Sequence, residues 1–248
     1  MMKLLVFLLY ALAVSVAMAL RGFWSPVKAQ TKSSGRRIER ILVVGATGGT
    51  GRELVAQALE RGYEVTAFAR DPTKMHLTHP RLNVVRGDVL DPKAVDMAVR
   101  DHDAVVSALG HRRIFIPSRI QSEGTRNLLR AMETHGVRRF VCETSLGLGN
   151  SAGRMGVLST FFVLPFILPI YFWDKSHQER VIAASGLEWV IVRPGVLTNG
   201  AKRGDYHHGF DVGSYIWTKR ISRADVADFM LKQLTDDQYL QTATAIVR

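Results

Sequence analysis

A glycine-rich turn between a strand-like run and a helix-like segment constrains the fold of this chain most. Arg40 to Val44 is a short apolar run rich in β-branched residues, and Gly-Ala-Thr-Gly-Gly-Thr-Gly follows at once at 45–51. A helical pattern from Arg52 to Arg61 comes next and stops at Gly62. Strand, glycine turn and helix in this order are typical of a nucleotide site, because phosphates bind the N–H groups and positive end of the helix.

Three of these glycines have the spacing at which each would play a separate role in such a site. Gly45 would allow the tight turn, Gly48 would let a pyrophosphate approach the backbone, and Gly51 would let the helix pack on the strand. The sequence therefore predicts a dinucleotide-binding turn at residues 45–51.

The rest of the chain alternates between strand-like and helix-like segments. Strand patterns occur at 63–69, 82–86, 104–108, 139–144 and 189–193, with helical patterns between them. Asp91 is the predicted cap of the helix that begins at Pro92, and residues 206–221 are predicted to form a short β-ribbon. This alternation predicts an α/β fold with a doubly wound parallel sheet of the Rossmann type. Because ligands bind at the carboxyl ends of such strands, we expect Asp88, Leu109, Gly110 and Ser145 to share one crevice.

The end of the second strand indicates which dinucleotide binds. An NAD site would place an acid there for the ribose 2′-hydroxyl, but this chain has Arg70. A guanidinium can pair with a 2′-phosphate, and Lys74 could add a second positive contact. Although Asp71 follows directly, these residues favour NADPH over NADH as the cofactor.

Beyond these patterns, the chain resembles the atypical short-chain dehydrogenase/reductase superfamily, and within it the biliverdin-IX-beta reductase/flavin reductase and NmrA-like group. The matching stretches run through residues 41–234 in the order GATGGTG, YEVTAFARDP, VVRGDVLDP, DAVVSALG, QSEGTRNLLRAMETHGVRRFV, ETS, SGLEWVIVRPGVL and ISRADVADFML. The resemblance implies an NADPH-binding Rossmann domain. It further implies phosphate contacts at Thr47, Gly49 and Thr50, 2′-phosphate contacts at Arg70 and Lys74, adenine contacts at Asp88 and Val89, nicotinamide contacts at Leu109 and Gly110, and Ser145 facing the reacting ring.

Three residues are the candidates for catalysis. Tyr171 and Lys175 form the Tyr-x-x-x-Lys spacing, which places both side chains on one face of a helix. In the wider superfamily the Tyr is a general acid, the Lys binds the nicotinamide ribose and favours the phenolate, and a Ser, here Ser145, hydrogen-bonds the substrate oxygen. The chain departs from the pattern in two respects: Ser145 lies 26 positions before Tyr171, and Glu179 stands where biliverdin-beta reductases carry a His.

The net charge of +11 is concentrated at the start of the chain. Residues 1–40 contain seven basic residues and one acid, or +6, and the other 208 contain 26 and 21, or +5. The uncharged run Leu4 to Leu20, followed by six basic residues, predicts a membrane anchor with the domain in the cytoplasm. A cleaved signal peptide, followed by export, is the alternative.

These features divide the chain into three parts: an anchor or signal segment at 1–24, a basic linker at 25–39 and the Rossmann domain at 40–248. No basic stripe interleaved with aromatic residues occurs in the body, which argues against a nucleic-acid partner. The single cysteine excludes an intrachain disulfide framework, and no metal site is predicted.

One long uncharged segment, residues 155–173, interrupts the domain. A bilayer crossing there would separate Ser145 from Lys175, so two interpretations remain: a lid over the active site, or a hydrophobic loop that dips into the membrane. With an anchor predicted nearby, the sequence slightly favours the dipping loop and hence membrane lipid as a partner.

Together these predictions describe an NADPH-dependent oxidoreductase. Its small-molecule substrate would be a flavin, a quinone or a similar conjugated carbonyl, which could reach the site from the membrane. The alternative is a non-catalytic protein of the NmrA-like type that senses NADP(H) or acts as an assembly scaffold.

Overall fold

The computed structural model describes residues 37–110, 118–167 and 169–248. The predicted anchor or signal segment at 1–24 lies outside that part of the chain, as does the linker up to residue 36. Within the described residues, no helix combines the length and the apolar character needed to span a bilayer.

The described residues form a mixed sheet of eight strands and a separate pair of short strands. The strands are β1 (Arg40–Val44), β2 (Glu64–Ala69), β3 (Leu82–Arg86), β4 (Ala104–Ser107), β5 (Arg139–Glu143), β6 (Glu188–Pro194), β7 (Val196–Thr198), β8 (His207–Gly209), β9 (Arg220–Ser222) and β10 (Thr242–Val247). The order in the large sheet is β3-β2-β1-β4-β5-β6-β10-β8, and only β8 runs antiparallel to its neighbour.

Helices cover both faces of this sheet. They are α1 (Gly49–Glu60), α2 (Pro92–Val99), α3 (Ile120–His135), α4 (Pro169–Ala183) and α5 (Arg223–Lys232). Apolar residues of α1 and α5 pack on one face, and those of α2, α3 and α4 pack on the other. The central strands are buried on both sides, which explains why they read as continuous apolar runs in the sequence. The predicted doubly wound parallel sheet is confirmed.

The strand order reverses between β1 and β4, which pair directly with each other. Chain progression runs outward from β1 to β2 and β3 on one side, and from β4 to β5 and β6 on the other. A crevice forms at the carboxyl ends of strands at such a switch point, and β1 leads into the glycine turn. The topology therefore places the candidate site where the sequence predicts it.

The segment at 206–221, for which a β-ribbon is predicted, folds differently. His207–Gly209 forms β8 and joins the large sheet against β10, whereas β9 pairs in parallel with β7. The Asp225 carboxylate accepts hydrogen bonds from the backbone of residues 203 and 204, and Gly209 and Gly213 have positive φ. Within the segment, the Tyr206 hydroxyl donates to Asp228 of α5 at 2.7 Å. Because β8 and β9 pair with other strands and not with each other, the ribbon prediction is wrong.

The uncharged segment 155–173 is not one helix. Ser159–Ile167 forms a π-helix, and α4 begins at Pro169. Its first part, together with Leu146 and Leu148, belongs to a small apolar cluster near the ends of β5 and β6. After this segment α4 returns to the sheet, where Lys175 contacts the end of β5, so the segment does not cross a bilayer between Ser145 and Lys175.

Candidate active site

The glycine turn is built as tightly as the spacing indicates. Gly45 has φ +79°, and a Cβ there would lie 2.6 Å from the carbonyl oxygen of Ala108, at the end of the neighbouring strand β4. A Cβ on Gly51 would lie 2.1 Å from the carbonyl oxygen of Gly45. Both distances are too short for any larger residue, so these two positions require glycine for close packing between β1, β4 and α1.

The start of α1 presents backbone donors toward the crevice. Gly48 precedes the helix without any side-chain cap, and its own N–H donates to the Gly45 carbonyl at 2.9 Å. The first helical hydrogen bond joins the Arg52 N–H to the Gly48 carbonyl at 2.9 Å. The N–H groups of Gly49, Thr50 and Gly51 therefore have no acceptor within the helix, and together with the helix dipole they suit a phosphate.

Two cations lie at the predicted 2′-phosphate site. Among the described residues, Lys74 is in an ion pair and Arg70 is in none. Lys74 Nζ lies 2.8 Å from Asp71 Oδ2, and the Thr73 hydroxyl donates to the other carboxylate oxygen at 2.6 Å. These hydrogen bonds lower the pKa of Asp71 to about 2. Arg70 is exposed directly after β2, and no ion pair or side-chain hydrogen bond involves it among the described residues. Lys74 thus neutralises Asp71 and leaves Arg70 as the available guanidinium.

Asp88 and Val89 follow β3, at the position predicted for the adenine. One Asp88 carboxylate oxygen accepts the N–H of Leu90 at 3.0 Å, so it shapes its own loop. Val89 is buried, and its carbonyl accepts the Asn127 amide at 2.9 Å. A Cβ on Gly124 would lie 2.7 Å from Val89 Cγ2, so this loop is packed closely on α3.

Lys175 connects the carboxyl ends of two strands. Its ammonium donates to the carbonyl of Leu109 at 3.2 Å and to the carbonyl of Glu143 at 2.9 Å, and the residue is 1% exposed. The Tyr171 ring centroid lies 5.9 Å from Lys175 Nζ, one helical turn earlier. The structure therefore brings both predicted residues of α4 to the crevice where Leu109 and Gly110 follow β4.

Ser145 lies at the same edge but makes a local contact. It follows β5 by two residues, and its hydroxyl donates to the carbonyl of Leu146 at 3.1 Å. Within the part of the chain that the structure describes, no hydrogen bond joins Ser145 to Tyr171. Ser145 and Lys175 share the end of β5, because Lys175 holds the Glu143 carbonyl.

The Asp174 carboxylate holds α4 in this position. It accepts the backbone N–H groups of Gln121 and Ser122 at 3.1 and 3.2 Å and also the Ser122 hydroxyl. Asp174 is buried, so it acts as the N-terminal cap of α3 supplied by another helix. This contact fixes the residue next to Lys175 and thereby the direction in which the lysine points.

Glu179 is part of a buried ion pair. One carboxylate oxygen accepts the Thr144 hydroxyl at 2.7 Å and Arg193 Nε at 2.9 Å, and the other accepts Arg193 Nη2 at 2.7 Å. Both oxygens are thus occupied in joining α4 to β6 and to the residue before Ser145. In this arrangement Glu179 supports the site and is not directed to serve as the proton donor that a His would be.

Glu143 is a site residue that the sequence predictions missed. It is fully buried at the end of β5 and accepts the hydroxyl of Thr50, in the glycine turn, at 3.1 Å. Burial raises the pKa of Glu143, while Lys175, Thr50 and Arg223 oppose that effect. The only signal in the sequence is an acid placed between the apolar run Phe140 to Cys142 and the following Thr-Ser.

Arg223 is the second residue that was missed. A Cβ on Gly49 would lie 2.5 Å from both Cδ and Nε of Arg223, so this side chain lies directly over the start of α1. Its Nη1 donates to Asn199 at 2.6 Å. The stretch ISRADV belongs to the resemblance, but from sequence alone it indicates only the start of α5, where Ser222 accepts the Asp225 N–H at 3.0 Å.

Comparisons with known proteins identify the family of this chain. A family model described as NAD(P)H-binding matches residues 45–237. An uncharacterised chloroplast protein of Arabidopsis thaliana is 31% identical over 210 residues, which cover 82% of this chain and 74% of that protein. An NAD(P)H azoreductase of Xenophilus azovorans is 25% identical over 205 residues, covering 79% of this chain and 63% of the enzyme. Other curated relatives are longer, and the match spans as little as 28% of one of them.

A solved structure shows the same fold. A short-chain dehydrogenase/reductase of Veillonella parvula, determined in complex with NADP, superposes with a TM-score of 0.70 over 86% of this chain and 95% of that one. At 18% sequence identity, this likeness establishes the architecture. Binding of NAD(P)H rests on the family match over residues 45–237.

Proposed function

The chain belongs to the NAD(P)H-binding family, and we propose that it is an NADPH-dependent reductase that transfers hydride to a quinone, a flavin or a similar conjugated carbonyl. The observation that carries this proposal is the buried ammonium of Lys175, bound to the strand-end carbonyls of Leu109 and Glu143 with Tyr171 beside it. This arrangement supports the assignment of Tyr171 and Lys175 to the roles of the superfamily's Tyr–Lys pair.

The residues present fit NADPH. A side chain at Gly45 or Gly51 would fill the turn, and the first N–H groups of α1 are left for the diphosphate. Arg70 would hold the 2′-phosphate as a charge-assisted, bidentate donor, with Asp71 kept occupied by Lys74. Arg223, lying over Gly49, would add a positive charge beside the diphosphate. When bound, NADPH supplies the hydride.

The protein's own part in the reaction is to deliver a proton and to hold the acceptor. Reduction of a carbonyl adds a hydride to carbon and a proton to oxygen, and Tyr171 would donate that proton from its hydroxyl. The resulting phenolate would be stabilised by the Lys175 cation, because an opposite charge nearby favours the charged form. Ser145 would exchange its hydrogen bond with the Leu146 carbonyl for one to the substrate oxygen.

The surroundings of these residues favour a flat, apolar acceptor. Tyr171 packs against an apolar cluster that includes Leu146, Leu148, Met155 and Phe172. Such a lining binds conjugated rings by burial of their surface, while few polar groups fix the orientation. The azoreductase relative supports this assignment, since a related chain is named for an NAD(P)H-dependent reduction.

Steady-state oxidation of NADPH in the presence of quinones, flavins and aldehydes tests the proposal. We expect turnover with a quinone or flavin, and no turnover for Lys175→Met. Tyr171→Phe should lower kcat at least about 100-fold, because the general acid is lost. Lys93→Ala, at an exposed lysine of α2, is the matched control and should retain full activity.

Binding measurements keep the result interpretable. Tyr171→Phe should bind NADPH like the unaltered protein, because the tyrosine acts on the substrate. If the unaltered protein binds NADPH but oxidises it with none of these acceptors, the reductase proposal is refuted. The non-catalytic sensor or scaffold would then be the better account.

A further inference from the structure

Two segments of the chain expose large apolar side chains together. We define the apolar face as Val157, Leu158, Phe161, Phe162, Tyr215, Ile216 and Trp217. Leu158 and Ile216 are each 65% exposed, and Trp217 is 73% exposed. Single exposed apolar residues are common on protein surfaces, but a contiguous group of this size marks an interaction site.

Backbone contacts join the two segments into one surface. Met155 bridges Ser214, and the Val157 N–H donates to the carbonyl of Ile216 at 3.3 Å. Gly156 has φ +87°, and a Cβ there would lie 2.8 Å from the carbonyl carbon of Trp217, so the chains approach as closely as glycine allows. The apolar face is therefore a built surface.

The apolar face lies over the apolar cluster of the candidate active site. A Cβ on Gly147 would lie 2.9 Å from Met155 Sδ and 3.5 Å from Leu164 Cδ1. Met155 and Leu164 belong to the cluster that also contains Phe172 and contacts Tyr171. A molecule bound at the apolar face would thus be close to the apolar lining beside Tyr171.

The charges next to the apolar face that form no ion pair among the described residues are basic. The sequence has no acidic residue between 144 and 173 and none between 212 and 224. Lys219 and Arg220 follow the second segment after Thr218, both are exposed, and neither is in an ion pair among the described residues. Asp211, which precedes that segment, is paired with Arg154 at 2.7 Å. The surface is an apolar centre with a basic rim.

We propose that the apolar face docks on an anionic lipid bilayer. Aliphatic side chains would enter the boundary of the acyl chains, Tyr215 and Trp217 would lie at the level of the head groups, and the two cations would contact anionic lipid. The charge argues against a second copy as the occupant, because two basic rims would repel each other. The proposal concerns binding and stands whether or not the reductase function holds.

A position-specific fluorescent label tests this with the full chain. Cys142 is fully buried and burial raises its pKa to about 12, so it does not compete for a thiol-reactive dye. Ile216→Cys and Leu158→Cys carry a polarity-sensitive label on the apolar face. Met97→Cys, 69% exposed on α2, is the matched control elsewhere on the surface. Vesicles consist of phosphatidylcholine with or without phosphatidylglycerol, and some contain doxyl-labelled lipid as quencher.

On vesicles with phosphatidylglycerol, the labels at 216 and 158 should shift to shorter wavelength and be quenched by doxyl lipid, while the label at 97 changes little. Lys219→Glu with Arg220→Glu should lower the shifted fraction about tenfold or more. The label reports where the domain touches lipid, independently of any binding through residues 1–36.

Three outcomes would overturn the proposal. The protein could float with the vesicles while the labels at 216 and 158 stay unshifted. The shift could be equal without phosphatidylglycerol and indifferent to the charge reversal. The labels could also respond to protein concentration in the absence of vesicles, in which case a second copy covers the apolar face.

Discussion

The contact between Gly51 and Gly45 predicts a large effect of one added methyl group. In Gly51→Ala the new Cβ would lie 2.1 Å from the Gly45 carbonyl oxygen and 2.8 Å from Ala46 Cα, whereas real Cβ atoms keep at least 3.0 Å from other atoms. Both opposing atoms are backbone, so the start of α1 must move by about 1 Å relative to β1.

That displacement moves the donors proposed to hold the diphosphate. A hydrogen bond to a charged group contributes about 1.5–3 kcal/mol. Losing the equivalent of one such bond should raise the Kd for NADPH about 100-fold, or about 2.8 kcal/mol. Overpacking should also lower the free energy of unfolding by about 1–3 kcal/mol. Titration of NADPH by fluorescence and denaturant unfolding measure the two effects separately.

Gly186→Ala is the matched control, because nothing lies within 4 Å of a Cβ at that exposed position. It should change neither NADPH binding nor the free energy of unfolding. If Gly51→Ala binds NADPH as tightly as the unaltered protein while remaining folded, the assignment of the diphosphate to this turn is incorrect.

Three further predictions concern charged groups. Arg70→Ala should weaken NADPH binding by about 10- to 100-fold through loss of a charged hydrogen bond and leave NADH binding unchanged. Equal losses for both cofactors, or a similar loss in the exposed control Arg130→Ala, would contradict the role of Arg70 at the 2′-phosphate. Arg193→Met should cost about 3–5 kcal/mol in unfolding free energy because Glu179 stays buried without its cation, and adding Glu179→Leu should restore much of that loss; an additive double variant would argue against the pairing. Since burial raises the pKa of Glu143 above its ordinary 4.5, the folded state favours the protonated acid. The free energy of unfolding of the unaltered protein, relative to that of Glu143→Gln, should therefore fall as pH rises from 4.5 through the raised pKa of Glu143. A difference between the two proteins that does not change with pH would contradict this prediction.

Much of the fold could be predicted because local patterns specify it. β3 at Leu82–Arg86 matches the predicted strand, and the Asp91 side chain accepts the Lys93 N–H as the predicted cap of α2. β1 and the glycine turn also agree with expectation. Strand and helix periodicities, caps and glycine spacing act within a few residues, so one sequence suffices to identify them.

The site could be predicted only as a location. Parallel strands share one carboxyl edge, so the residues that follow them were expected to lie together. The sequence could not show which of these side chains are free to contact a ligand. Lys74 pairs with Asp71, and Ser145 makes a local hydrogen bond. Competition between nearby partners depends on distances of a few ångströms, and these are set by packing.

The sequence by itself determined the class of fold and the class of cofactor. An apolar strand, a glycine turn and a helix are local features, and their physical meaning does not depend on the rest of the chain. The tertiary structure alone decided the surroundings of that turn. Thr50 meets Glu143 93 residues away, and Lys175 reaches Leu109 66 residues away. It also joined two apolar segments into one face. These contacts bring distant parts of the chain together through the packing of helices on the sheet, and no periodic pattern encodes them.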